Sequence, residues 1–174
     1  MRSLVPQREQ NSKGNKRFTL FAHTFLIPNY CYRTLHKATL CKSGLVVKYL
    51  LGIGAYVNAL NDEGETPLHK AVDMKSVQIS KLLLEYGANV NAKTSERGWT
   101  PLHYSAIHGN VELTKLLLDY GADVEATTAD KSETPLHHTL FLKSTEVARL
   151  LLENGANVNA VNSSGESFAK HLSI

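Results

Sequence analysis

The chain has 174 residues, 43% apolar and 20% charged: enough apolar matter for the core of one ordinary domain, and too little charge for a disordered polymer. Its net charge of +3 is unevenly placed, because residues 1–32 hold five basic groups against the single acid Glu9, which leaves −1 for the rest. That balance gives no electrostatic case for binding nucleic acid, and no apolar run approaches the ~20 residues that span a bilayer.

A leader comes first, over residues 1–31. Arg2, Arg8, Lys13, Lys16 and Arg17 precede an apolar run from Phe18 to Ile27, broken by Thr19, His23 and Thr24. The order imitates a secretory signal, but His23 interrupts the run and Pro28-Asn29-Tyr30-Cys31-Tyr32 offers no small-residue cleavage site. The segment reads as disordered or as a partial cap. Cys31 and Cys41 show no zinc spacing and read as reduced thiols.

From residue 32 onward the chain repeats. Thr-Pro-Leu-His stands at Thr66–His69, Thr100–His103 and Thr134–His137, 34 residues apart each time. Gly-Ala-x-Val-x-Ala stands at Gly54–Ala59, Gly87–Ala92, Gly121–Ala126 and Gly155–Ala160, at spacings of 33, 34 and 34. Leucine triplets at 82–84, 116–118 and 150–152 fall between the two markers. Proline fits the first position of a helix, where its missing N–H is not needed, and the threonine before it serves as N-cap. The pattern predicts short helices over about 67–74, 101–108 and 135–142. Ile79, Leu82, Leu83 and Tyr86 predict a second helix with one buried face, as do Leu113, Leu116, Leu117 and Tyr120, and then Val147, Leu150 and Leu151. Gly87, Gly121 and Gly155 end those helices. The polar stretches that follow are projecting loops. One helix pair cannot bury its own leucines, so the units must stack into a solenoid.

These motifs resemble the ankyrin repeat family. Thr66–Ala71 carries Thr-Pro-Leu-His-x-Ala in full, Gly109-Asn110-Val111-Glu112 lies between helices, and Gly87–Ala92 reads Gly-Ala-Asn-Val-Asn-Ala. The resemblance covers about residues 32–174 and implies an all-α solenoid of stacked helix pairs. It further implies a concave face built from loops and first helices, and protein binding without catalysis. The units run about 32–60, 61–94, 95–128, 129–161 and 162–174. The first is degraded: Arg33-Thr34-Leu35-His36 lacks Thr-Pro, and Gly44 replaces an aliphatic residue. The last reads as truncated after Ser167–Leu172. Lys42, Lys75 and Lys143 occupy the place of Gly109, where a positive φ would strain a lysine. The loops before Thr100 and Thr134 are one residue longer than the loop before Thr66.

Eight histidines invite a metal reading, but His69, His103 and His137 share one motif position and so one structural cause, an imidazole bonded near a helix start. No ligand set has zinc spacing, and no nucleophile elbow or phosphate loop appears, so no metal, no cofactor and no catalytic residue is assigned. Asn58, Asn91 and Asn159 lie where the resemblance allows hydroxylation by an asparaginyl hydroxylase, although local backbone bonding explains asparagine there more simply.

The candidate partner-binding residues are those the fold does not dictate. Register places Asp62, Glu63, Glu65, Arg97, Trp99, Lys131 and Glu133 on loop tips, and Asp73, Met74, Ile107, His108, Phe141 and Leu142 at first-helix ends. Met74, Ile107, Phe141 and Leu142, with Trp99 beside them, predict an exposed apolar stripe of the kind that anchors partners. The competing reading has the longer loops folding over these residues. The expected function is an intracellular, most simply cytoplasmic, interaction module: a scaffold, adaptor or inhibitor, monomeric, with an unknown protein partner. Delivery into a host cell is one version of that reading. The alternative is a non-binding fragment of a longer array.

Overall fold

The computed structural model describes the backbone of residues 28–172 and the side chains of residues 34–170. Residues 1–27, which hold most of the leader, lie outside the described part. The described chain is helical throughout, with the order α1 Pro28–Leu40, α2 Gly44–Gly52, α3 Pro67–Asp73, α4 Val77–Glu85, α5 Pro101–Ile107, α6 Val111–Asp119, α7 Pro135–His138, α8 Thr145–Glu153 and α9 Phe168–Leu172. The first helices α1, α3, α5 and α7 pack side by side as one layer, and the second helices α2, α4, α6 and α8 form another behind them. The core runs continuously between the layers. Leu35, Leu68, Leu102 and Leu136 of the His-containing motif are almost wholly buried, as are Leu83, Leu117 and Leu151, the middle members of the triplets. Each such leucine contributes about 2 kcal/mol of burial.

The first helices α3, α5 and α7 each start on a box in which histidine takes the place usual for glutamate. The backbone N–H groups of Thr66, Thr100 and Thr134 each donate to Nδ1 of the histidine three residues on, all at 3.1 Å. An N–H can only donate, so Nδ1 is unprotonated and Nε2 carries the hydrogen. Nε2–H then reaches the following unit: His69 donates to the Trp99 carbonyl at 3.0 Å, His103 to Glu133 at 3.1 Å and His137 to Glu166 at 3.2 Å. His36 does the same to the Glu65 carbonyl at 2.9 Å, even without Thr-Pro before it. One residue type therefore caps its own helix and ties it to the next loop. Asn58 and Asn91 make a second tie, their Oδ1 atoms accepting from Asn89 and Asp123 N–H at 2.7 and 2.8 Å.

The loops differ in how they close. Asn61 and Asn162 each accept two N–H groups across a short loop, from Glu63 and Glu65 and from Ser164 and Glu166. The two loops with the extra residue use threonine instead, Thr94 Oγ1 accepting from Trp99 N–H and Thr128 Oγ1 from Glu133 N–H. Successive loops also bond directly, Ala129 N–H to Arg97 O and Ser163 N–H to Lys131 O, both at 2.8 Å.

Four details depart from or sharpen the sequence reading. Lys42, Lys75 and Lys143 do sit at positive φ, 52°, 54° and 50°, matching Gly109 at 60°. Gly44 is the first residue of α2, and Val111 in the same register is 42% exposed, so the missing side chain lies at the core's edge and costs less than expected. α1 begins at Pro28, well before the motif register at Thr34. The helix expected over 135–142 stops at His138. Beyond it, Thr139, Leu140 and Phe141 bond to residues three back. Thr139 and Leu140 stand where α3 has Ala71 and Val72 and α5 has Ser105 and Ala106, all wholly buried. The bulkier pair does not fit the close-packed wall in α-helical geometry, and the turn tightens.

Candidate functional site

The outward side of the first-helix layer is built from the fifth, eighth and ninth residues of each motif together with the loops. At the fifth position the chain reads Lys37, Lys70, Tyr104 and His138, which grades from cationic to aromatic. Lys70 forms an ion pair with Glu65, and Tyr104 OH donates to Glu65 Oε1 at 2.9 Å. Asn61 Nδ2 donates to the other oxygen, also at 2.9 Å. Burial opposes ionisation of Glu65, but the Lys70 ammonium, the Asn61 amide and the Tyr104 hydroxyl together hold its carboxyl below the usual range. The same burial, together with the carboxylate beside it, pushes the Tyr104 phenol up.

Further along, an aromatic cluster takes over. The Trp99 ring lies 5.2 Å from Tyr104, edge to face, and 4.7 Å from His138, with Arg97 5.9 Å above it. His103 meets His138 edge-on at 5.4 Å, and Phe141 stacks on His138 at 5.9 Å. Burial pushes the His103 imidazole down to about 4, against the pull of the Glu133 carbonyl. Burial likewise takes His138 down to about 4, helped by the neighbouring His103 and His137. Neither ring nitrogen of His138 has a hydrogen bond, and the nearest charge, Glu133 Oε2, is 3.7 Å away.

The structure places the expected partner-facing residues unequally. Asp62 and Glu63 are exposed and border a cleft of about 410 Å³ with His36, Lys37, Leu40, Asn61 and Lys70. Glu65, read as a loop tip, is instead turned inward and only 6% exposed, because Tyr104, Lys70 and Asn61 converge on it. Arg97 and Lys131 are exposed, and their carbonyls hold the next loop. Glu133 is half-buried. Asp73 and His108 are engaged with each other, Nε2–H to Oδ1 at 3.0 Å. Met74, Ile107 and Trp99 are half-buried, whereas Phe141 and Leu142 are 65% and 59% exposed. The longer loops therefore leave Phe141 and Leu142 uncovered, and Trp99 is held mainly by rings. Tyr104 and His138 were not singled out from the sequence. The signal was present, since they fill the variable position of Thr-Pro-Leu-His-x-Ala.

Among the described residues no three His, Cys, Asp or Glu side chains gather as a metal site requires, and no helix is long and apolar enough to cross a membrane. Cys41 is a free, exposed thiol.

Two helical layers tied by capping histidines, with loops stacked at one edge, define a helical-repeat solenoid. The chain belongs to the ankyrin repeat family: the family model for ankyrin repeats in three copies matches residues 24–94 and again residues 93–162. Ankyrin repeats are in general protein–protein interaction modules and typically lack catalytic activity. No curated protein matches the chain.

Proposed function

We propose that this protein is an interaction module, acting inside cells as a scaffold, adaptor or inhibitor, and that it holds its partner on the first-helix side, the concave face that the family resemblance implies. The observation that carries this reading is the pair Phe141 and Leu142, large apolar side chains exposed beside a packed aromatic cluster. Exposed aromatic and aliphatic groups on a rigid base lose little conformational freedom on binding, which is how interface anchors work. The other end of the same side offers charge instead, with Asp62, Glu63, Lys37 and Lys70 lining the cleft. A fitting partner presents an apolar anchor at one end and polar groups at the other.

Arg97 and Lys131 flank the anchor from the loops, and Asp73 with His108 and half-buried Met74 and Ile107 bridge its two ends. The loop tips at Trp99 and Glu133 act mainly by holding this surface in shape. The chain works as a monomer in this reading, in the cytoplasm, with no cofactor.

The test is quantitative capture from native cell extract by three immobilised forms: the unaltered chain, Phe141→Ser with Leu142→Ser, and a control with Lys81→Ser and Lys115→Ser on the second helices. The first and third should retain the same protein and the second should lose it at least about tenfold, which corresponds to ~1.4 kcal/mol. Equal capture by all three, at unchanged helicity, contradicts the assignment of the face.

A further inference from the structure

The outer side of α2 and the turn after it is apolar and exposed, at two positions where the register mates are polar. Leu45 is 86% exposed and stands where α4, α6 and α8 have Gln78, Glu112 and Glu146. Tyr56 is 69% exposed and stands in the register of Asn89, Asp123 and Asn157. Val46 is 44% exposed, although Ile79, Leu113 and Val147 in its register are at most 1% exposed. With Tyr49 and Ile53, at 67% and 42%, these residues make one contiguous apolar side along α2 and the turn after it. Among the described helices α2 packs on α1 and α4, and neither covers this side.

We infer that residues 18–27 of the same chain cover it and cap the stack. Three observations favour this occupant. The segment is apolar apart from Thr19, His23 and Thr24, and all five basic residues of the leader precede it, so docking it buries no lysine or arginine. It runs directly into Pro28, and a three-residue link turns α1 back onto α2, so the N-terminus of α1 lies beyond the Ile53 end of the patch. Its reach also suffices. Ten residues extend up to ~33 Å, whereas passing the ~9 Å by which α1 overshoots the motif register and then the ~14 Å of α2 takes about 23 Å. A further repeat is a poorer description of the segment, since 33 residues before Gly54-Ala55 the chain has Phe21-Ala22.

The test is hydrogen–deuterium exchange of the full chain against the full chain carrying Phe21→Asp and Phe25→Asp. Exchange in residues 44–52 should quicken at least about tenfold in the variant, while residues 111–119 stay unchanged and the unaltered chain sediments as a monomer. Unchanged exchange in 44–52 overturns the inference. So does a dimer whose α2 protection falls on dilution, because a second copy is then the cover. If the variant loses protection in 111–119 as well, the reciprocal change Leu45→Ser with Tyr49→Ser decides. It should quicken exchange in residues 18–27, and constant exchange there overturns the inference.

Discussion

Ser80 is wholly buried in α4, and its hydroxyl finds no hydrogen-bond partner. The same register holds Val47, Thr114 and Ala148, and Thr114 avoids the penalty by donating to the Asn110 carbonyl at 2.8 Å. An unsatisfied buried hydroxyl costs about 1–3 kcal/mol. Ser80→Ala should therefore stabilise the chain by ~1 kcal/mol, read as a higher urea midpoint at unchanged slope. The missing partner of Ser80 is not legible in the sequence, because it depends on what surrounds the hydroxyl. Glu65 teaches the same point. Sequence register put it on a loop tip, yet Tyr104, 39 residues later, draws it inward. Ser132 shows the cost of a lost glycine. It sits at φ 52°, where the other loops have Gly64, Gly98 and Gly165, so its Cβ is held in a region glycine occupies without strain.

Among the elements, the first helices carry the pH response. In the clamps of His69 and His103 the imidazole is neutral, because protonating Nδ1 would turn the acceptor of the threonine N–H into a donor. A free imidazole takes its proton near 6.5, whereas His103 and His138 take theirs near 4, and His69 is also lowered by burial. Between those values the unfolded chain binds more protons than the folded one. The stability from these rings is full above about pH 6.5 and is lost as pH falls towards 4. Urea unfolding at pH 5 should show a loss on the order of 2–4 kcal/mol against pH 7, and His138→Phe should flatten part of that slope. A flat profile over this range contradicts the neutral-histidine clamp. Glu65, against the opposing effect of burial, is held low by Lys70 and its other donors, and adds a loss that begins as pH falls through the usual carboxylate range and continues below it. The clamp itself was readable in the sequence, since the repeat states the same histidine three times and a single local cause covers all three. The tightening of α7 was not readable, because the bulk of Thr139 and Leu140 matters only against the packed neighbouring helix.

Among the described residues, nearest-neighbour ties carry the stacking: core leucines, capping histidines, asparagine clamps and loop-to-loop bonds each join one unit to the next. Such a stack holds a broad surface rigid without building an enclosed pocket. The fold was legible because three markers kept register over most of the chain. The proposed face was legible only in part, since the backbone tightens just where Phe141 and Leu142 follow α7, and the aromatic cluster beside them spans two units. The exchange footprint of the captured partner tests the central claim most directly. Protection should appear in residues 99–108 and 138–142 on the first-helix side. Protection confined to the second helices, over 77–85 and 111–119, with none on the first-helix side, would contradict it.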